Sequence, residues 1–139
     1  MSYNWNTRTE LLLGADRMER LAHSHVLVVG LGGVGAYAAE QICRAGIGHM
    51  TIVDADTVNE SNINRQLPAL HSTLGMPKAE VVARRLLDIN PRLKLNVLNE
   101  FLRDERTEEV LSATRYDFVV DAIDSLSPKV FLSLIHISE

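Results

Sequence analysis

Three groups of residues in this 139-residue chain have types and spacings suited to chemistry on a phosphorylated ligand. The first is Gly30-Leu31-Gly32-Gly33-Val34-Gly35, which follows the apolar run His25–Val29 and leads into a helical pattern. A second apolar run, residues 50–53, then ends on Asp54. This is the glycine fingerprint of a nucleotide-binding strand–turn–helix–strand unit, with an acid about 20 residues on. Gly30 permits the tight turn, Gly32 lets the backbone approach a phosphate beside Gly33, and Gly35 lets the helix pack on the strand. The helix start offers unpaired N–H groups and a positive dipole end to an anion. Asp54 suits ribose hydroxyls; its plainer reading is a solvated strand-end acid, and its position favours the ribose. The fingerprint does not separate a nicotinamide cofactor from ATP, since both present phosphates and a ribose.

The second group is Ser61-Asn62-Ile63-Asn64-Arg65-Gln66, followed by Lys78. Arg65 offers a planar fork to phosphate oxygens and Lys78 a compact charge. Two cations near a glycine turn suit a triphosphate whose charge rises during transfer. Hydride transfer has no need of them. Taken alone, Lys78 reads as a solvated helix-start lysine and the loop as merely polar; beside the fingerprint both read as functional. The third group is Val120-Asp121-Ala122-Ile123-Asp124-Ser125. Two acids at a strand end suit magnesium, which takes few carboxylates and completes its shell with phosphate oxygens and water. The expected division of labour puts Asp124 nearer the metal and leaves Asp121 structural, while Asp56 reads as a loop cap.

The elements that must position these groups are legible in the hydrophobic pattern. Residues 7–23 have helical character with a break at Gly14, forming an N-terminal helical segment over residues 1–24. Strand one is His25–Val29, helix one runs from about Gly33 to Ala45 and closes at Gly46, and strand two is about His49–Val53. The polar stretch 55–73 is too long for a simple turn, and long connections are more often functional than idle. Helix two is expected from near Pro77 to Ile89, ended by Pro91. Strand three falls at residues 93–98, a shorter helix at 106–113 and strand four at 117–120. Strands alternating with helices predict an α/β, Rossmann-like, doubly wound fold, with a mainly parallel sheet covered by helices on both faces. Ligands of such sheets sit beyond the strands' C-terminal ends, which here carry Gly30, Asp54 and Asp121.

Composition narrows the class. With 46% hydrophobic and 23% charged residues the chain fits one soluble globular domain. A formal net charge of −4 gives no broad basic surface for nucleic acid. No apolar run approaches a membrane span and the N-terminus has no apolar signal core, so no membrane partner and a cytoplasmic location are expected. The single cysteine, Cys43, rules out an internal disulfide and reads as a packing residue inside helix one.

The order GLGGVG, TIVDAD, SNINRQ, GMPKAE and VVDAID resembles the ThiF/MoeB/HesA ubiquitin-activating-like adenylating family, from about Arg8 to Lys129. Within it, RTELLLG, GIGHMTIVDAD and VVDAIDSLSPK look most like the bacterial tRNA threonylcarbamoyladenosine dehydratases. The resemblance implies ATP-dependent adenylation of a carboxylate, with ATP and magnesium as cofactors and a modified tRNA as substrate. It also implies an alternative, adenylation of the C-terminal glycine of a small sulfur-carrier protein, with that carrier or a cysteine desulfurase as partner. Gly30, Gly32, Gly33 and Gly35 would form the phosphate turn and Asp54 would hold the ribose. Asn62, Arg65 and Lys78 would contact phosphates, Gln66 would support the loop, and Asp124 would hold magnesium. Arg8 would reach across a homodimer into the neighbour's ATP site. The family's catalytic domain continues further, so the resemblance implies a fragment: an incomplete ATP-binding domain over residues 25–132 and an unrelated tail at 133–139. Such a fragment would hold the ATP framework and lack parts needed for turnover. A nicotinamide-dependent oxidoreductase and a non-catalytic nucleotide-binding remnant are the competing classes; Arg65, Lys78 and Asp124 count against the first.

Overall fold

The structure is a computed structural model that describes residue 5 and residues 7–123. Four parallel strands form one sheet: β1 (His25–Val29), β2 (His49–Val53), β3 (Lys94–Leu98) and β4 (Phe118–Asp121), in the order β3-β2-β1-β4. The helices α1 (Thr7–Leu13) and α2 (Ala15–Ala22) precede β1, α3 (Gly33–Ala45) joins β1 to β2, α4 (Lys78–Ile89) joins β2 to β3, and α5 (Asp104–Ser112) joins β3 to β4. The chain thus winds from β1 outward to β3 and returns to the other side of β1. That reversal makes a topological switch point between β1 and β4. The expected parallel doubly wound fold is what forms.

Strand alternation divides the core between two faces. Val26 and Val28 of β1, with Met50 and Ile52 of β2, pack under α3 and α4 against Ala36, Ala39, Cys43, Val82 and Leu86. Leu27, Val29 and Val53 point the other way, against Leu102 and Val110 of the α5 side. β1 is buried at every position, as a strand covered on both faces must be. Glu40 of α3 is 6% exposed and accepts from Arg44 Nη2 at 3.1 Å and, across to α4, from Arg85 Nε at 2.8 Å. Burial works to raise its carboxyl, but the two guanidiniums outweigh it and hold the group below the usual carboxylate range.

Several expected boundaries shift by one or two residues. β4 runs to Asp121 because Val29 pairs with Asp121 in register, while Asp117 stays outside the strand and its carboxylate accepts from His25 N at 2.7 Å. α5 begins at Asp104, two residues early, because the Arg103 carbonyl accepts from Arg106 N at 2.9 Å and from Thr107 N at 3.4 Å. Pro77 sits just before α4 as its cap residue, not in its first turn. The polar stretch is structured: short 3-10 turns form at Glu60–Asn62 and His71–Thr73, and Thr57 bridges Pro77 antiparallel. The expected tail at 133–139 lies outside the described residues.

At the sheet end remote from the strand C-termini, the His25 and His49 rings stack 3.5 Å apart with 7° between their planes, and Tyr116 packs edge-on to His25 at 4.6 Å. His25 Nε2 shares a 2.7 Å hydrogen bond with Thr51 Oγ1, and Asn96 Nδ2 lies 3.1 Å from His49 Nε2. Burial and the neighbouring His49 push His25 down to about 4, against the opposing pull of Asp117. Burial and Lys94 lower His49. Both folded values lie below that of free histidine, so the unfolded chain takes up protons first as the pH falls. The stability tied to the neutral pair is complete above about pH 6.5 and drains away toward pH 4. The thermal midpoint is therefore expected to drop by on the order of 5 °C between pH 7 and 5. His25→Phe keeps the stack and should flatten that slope; parallel curves for the two proteins would refute the assignment.

Candidate functional site

The register sets β1, β2 and β4 level at their C-terminal ends, since Val29 is opposite both Val53 and Asp121. A crevice of about 860 Å³ opens there, lined by the glycine turn, the β2 end, the 57–66 loop, Lys78 and the segment after β3. Gly30 turns the chain with φ 93°, and a Cβ on it would lie 2.8 Å from the Ala122 carbonyl oxygen. Gly35 does not line the crevice. A Cβ there would lie 1.6 Å from the Gly30 carbonyl oxygen, so α3 is seated directly on the turn. Gly32 and Gly33 line the crevice, and Gly32, the residue before α3, makes no side-chain cap. The first N–H groups of α3 are left for an anion.

Asp54 does more than the sequence suggests. Its Oδ2 accepts from Leu31 N and its Oδ1 from Asp56 N, both at 2.7 Å. The carboxylate therefore ties the glycine turn of β1 to the end of β2, and each oxygen keeps a lone pair for a hydroxyl donor. Asn62 is 6% exposed and builds its own loop. Its Oδ1 accepts from Asn59 N at 3.1 Å, and its carbonyl accepts from Arg65 N and Gln66 N. Its Nδ2 group is the donor it can offer a ligand.

The two cations differ in kind. Arg65 is exposed, and its Nη1 donates to Ser61 O and Asn64 Oδ1, both at 2.9 Å. That fixes one corner of the fork of a residue that lines the crevice, and Nη2 and Nε make no hydrogen bond among the described residues. Lys78 is only 5% exposed, and its ammonium stands 4.0 Å from Asp56 Oδ2, beyond hydrogen-bond reach. An ammonium on a buried stem, so weakly paired at a crevice wall, suits an anion by its chemistry. Gln66 also lines the crevice, and its Oε1 is buried without a hydrogen-bond partner.

Asp121 closes β4, lines the crevice and accepts from Ile123 N at 3.3 Å. Asp124 lies outside the described residues, so the expected division between the two acids is not addressed. Among the described residues no three His, Cys, Asp or Glu side chains cluster closely enough to cage a metal. One or two crevice carboxylates suit a cation that draws its other ligands from phosphate oxygens and water. Arg8 sits exposed on α1 and is not among the crevice-lining residues. Cys43 is buried beneath α4 with Sγ 3.5 Å from Leu86 O, and burial pushes its thiol up to about 11, which makes it a packing group and a poor nucleophile.

Sequence reasoning missed the segment 100–103 after β3, where Glu100, Phe101, Leu102 and Arg103 all line the crevice. The signal was available in principle, because β3 ends at the same sheet edge as β1 and β2.

The sequence matches the ThiF family over residues 3–138. It is 41% identical over 131 residues to the tRNA threonylcarbamoyladenosine dehydratase of Escherichia coli (strain K12), covering 92% of this chain and 48% of that protein. It is 37% identical over 111 residues to the molybdopterin-synthase adenylyltransferase of Haemophilus influenzae, covering 80% and 45%. The fold superimposes on the E. coli dehydratase TcdA in complex with ATP with a TM-score of 0.88 at 40% identity, covering 94% of this chain and 55% of that one. The chain spans about half the length of the curated relatives it matches.

Proposed function

Because this chain belongs to the ThiF family, we propose that its crevice binds ATP with magnesium and serves the adenylation of a carboxylate, that of threonylcarbamoyladenosine in tRNA. The observation that carries this reading is the pairing of the open α3 start with the ammonium of the buried Lys78 side chain on one crevice. Two solved relatives, TcdA in complex with ATP and with AMP, support the nucleotide. The three dehydratases at 41% identity support the acceptor.

A carboxylate is a poor acyl donor because its leaving group would be oxide. Attack of its oxygen on the α-phosphorus of ATP forms one P–O bond and breaks the bond to the β-phosphate, releasing pyrophosphate. An internal nucleophile of the modified base then attacks the acyl carbon and loses its proton as the C–O bond to AMP breaks, closing the ring. Gly32, Gly33 and the α3 start receive phosphate oxygens, Arg65 and Lys78 hold the rising charge, and Asp54 accepts from the ribose. Gln66 backs the turn at Gly32. Asp124 would hold magnesium, which would supply charge neutralisation on the phosphates when bound. No cysteine is required.

Arg8 takes its part only if another copy lies alongside, so a homodimer belongs to this reading. Leu11 and Leu12 on the same helix are 72% and 84% exposed, which suits a covered surface in the assembly. Among the described residues no helix is long and apolar enough to cross a membrane. A tRNA substrate suits the cytoplasmic location that belongs to this reading.

Calorimetric titration of the chain with ATP and magnesium, using NAD as control, tests the nucleotide. Saturable ATP binding with no NAD binding is expected; the reverse preference would overturn the reading. The likeness to the molybdopterin-synthase adenylyltransferase favours a second acceptor, the C-terminal glycine of a sulfur-carrier protein. Pyrophosphate exchange that depends on tRNA supports the first acceptor, and exchange that depends on a carrier protein supports the second.

A further inference from the structure

We infer that the exposed ridge of α3, from Val34 at the crevice through Tyr37 and Gln41 to Arg44, carries the nucleotides that flank the acceptor base of an RNA. The inference rests on the tRNA acceptor proposed above and names the surface which that reading leaves unassigned.

α3 buries one face and leaves one stripe. Gly35, Ala36, Ala39, Glu40 and Cys43 are buried, whereas Val34, Tyr37, Gln41 and Arg44 are exposed. Steps of three, four and three residues keep those four side chains on one line of the helix. The line begins at the crevice, whose lining includes Val34, and ends about 15 Å away in the last turn. An RNA whose modified base enters the crevice past Val34 has its neighbouring nucleotides over this line.

The residue types along the line fit unstacked RNA. Val34 is 74% exposed and Tyr37 48%, and among the described residues neither packs into a core cluster. A lone exposed apolar residue needs no explanation by itself. Here the two stand one turn apart and adjoin the crevice. An aromatic ring in that place is a platform for a splayed base, the means by which proteins read RNA loops. Gln41, next along, carries an amide that can both donate to and accept from a base edge. At the far end Arg44 Nη2 and Arg85 Nε both reach Glu40 Oε1, at 3.1 and 2.8 Å, and both guanidiniums are half-exposed. Two cations on one carboxylate leave net positive charge at the surface, which suits a backbone phosphate. A chain of formal net charge −4 has no broad basic face, so stacking with few phosphate contacts fits it better than charge alone.

The test measures binding of fluorescently labelled tRNA to the full chain by anisotropy, beside ATP binding by calorimetry. Tyr37→Ala is expected to weaken tRNA roughly tenfold, and Tyr37→Phe, which keeps the ring, to match wild type. Arg44→Gln leaves Glu40 its Arg85 partner and is expected to make the salt dependence of tRNA binding shallower by about one charge. ATP affinity is expected to be unchanged in all three variants. Unchanged tRNA affinity in Tyr37→Ala, an unchanged salt slope in Arg44→Gln, or loss of ATP affinity in step with tRNA would each overturn the ridge. So would a wild-type dimer, seen by sedimentation, that Tyr37→Ala splits with tRNA affinity intact, because the ridge would then face a second copy. A wild-type chain that binds ATP but no tRNA would overturn the tRNA acceptor and the ridge together.

Discussion

Replacing Gly35 with alanine is expected to destabilise the chain by about 3 kcal/mol or more, the range reserved for changes that a core cannot absorb. The added Cβ would stand 1.6 Å from the Gly30 carbonyl oxygen and 3.2 Å from the Ala122 Cβ. The first obstacle is backbone, and it belongs to a turn that is itself pinned. Gly30 N donates to Val53 O at 2.8 Å, Leu31 N donates to Asp54, and Ala122 N donates to Val29 O at 2.9 Å. Relief would require lifting α3 off β1 and pulling apart the junction of three strands. Gly33→Ala is the matched control, because a Cβ there meets nothing within 4 Å. Urea unfolding should show the Gly33 variant within about 0.5 kcal/mol of wild type. A Gly35 variant with an unchanged midpoint would show that the turn is softer than its contacts imply.

Lys78→Met carries the largest expected effect on binding, a loss of ATP affinity of roughly a hundredfold, with folding stability unchanged or raised. The side chain is almost wholly buried, and methionine fills the same volume without the charge. Removing an ammonium whose carboxylate partner among the described residues, Asp56, stands 4.0 Å away breaks no close ion pair in the free protein and forfeits a charge-assisted contact in the complex. Arg65→Ala should cost less, about tenfold, because the exposed guanidinium is already solvated and spends one nitrogen on its own loop. Calorimetry and thermal unfolding on the same preparations separate the two effects. ATP affinity within threefold of wild type for Lys78→Met would remove Lys78 from the phosphate site.

Much of the framework is legible before any coordinates. β1, α3 and β2 follow from two apolar runs and a glycine turn, since local pattern and tertiary demand agree over that stretch. Gly30 and Gly35 have the turn and packing roles that their spacing implies. What was not legible depended on contacts across the sheet. Lys78 is legible as a cation for phosphates, but its burial is not, and only the return of the loop, with Lys78 N bonded to Asp56 O at 2.9 Å, explains it. The tie from Asp54 to Leu31 joins neighbouring strands and leaves no mark in either segment. The crevice segment 100–103 has no periodicity to mark it, and it joins the site only because β3 lies beside β2, a fact of topology.

The antiparallel bridge between Thr57 and Pro77 closes a neck, reinforced by Val58 N to Met76 O and Gly75 N to Val58 O, both 2.8 Å. Lys78 is positioned by that neck, whereas Arg65 is carried inside the loop that the neck ties off. A loop held at its base can change length and composition at little entropic expense. The residues between Thr57 and Pro77 thus form one tied-off unit, and exchanges at its exposed positions such as Leu70 and Leu74 leave the seat of Lys78 where it is.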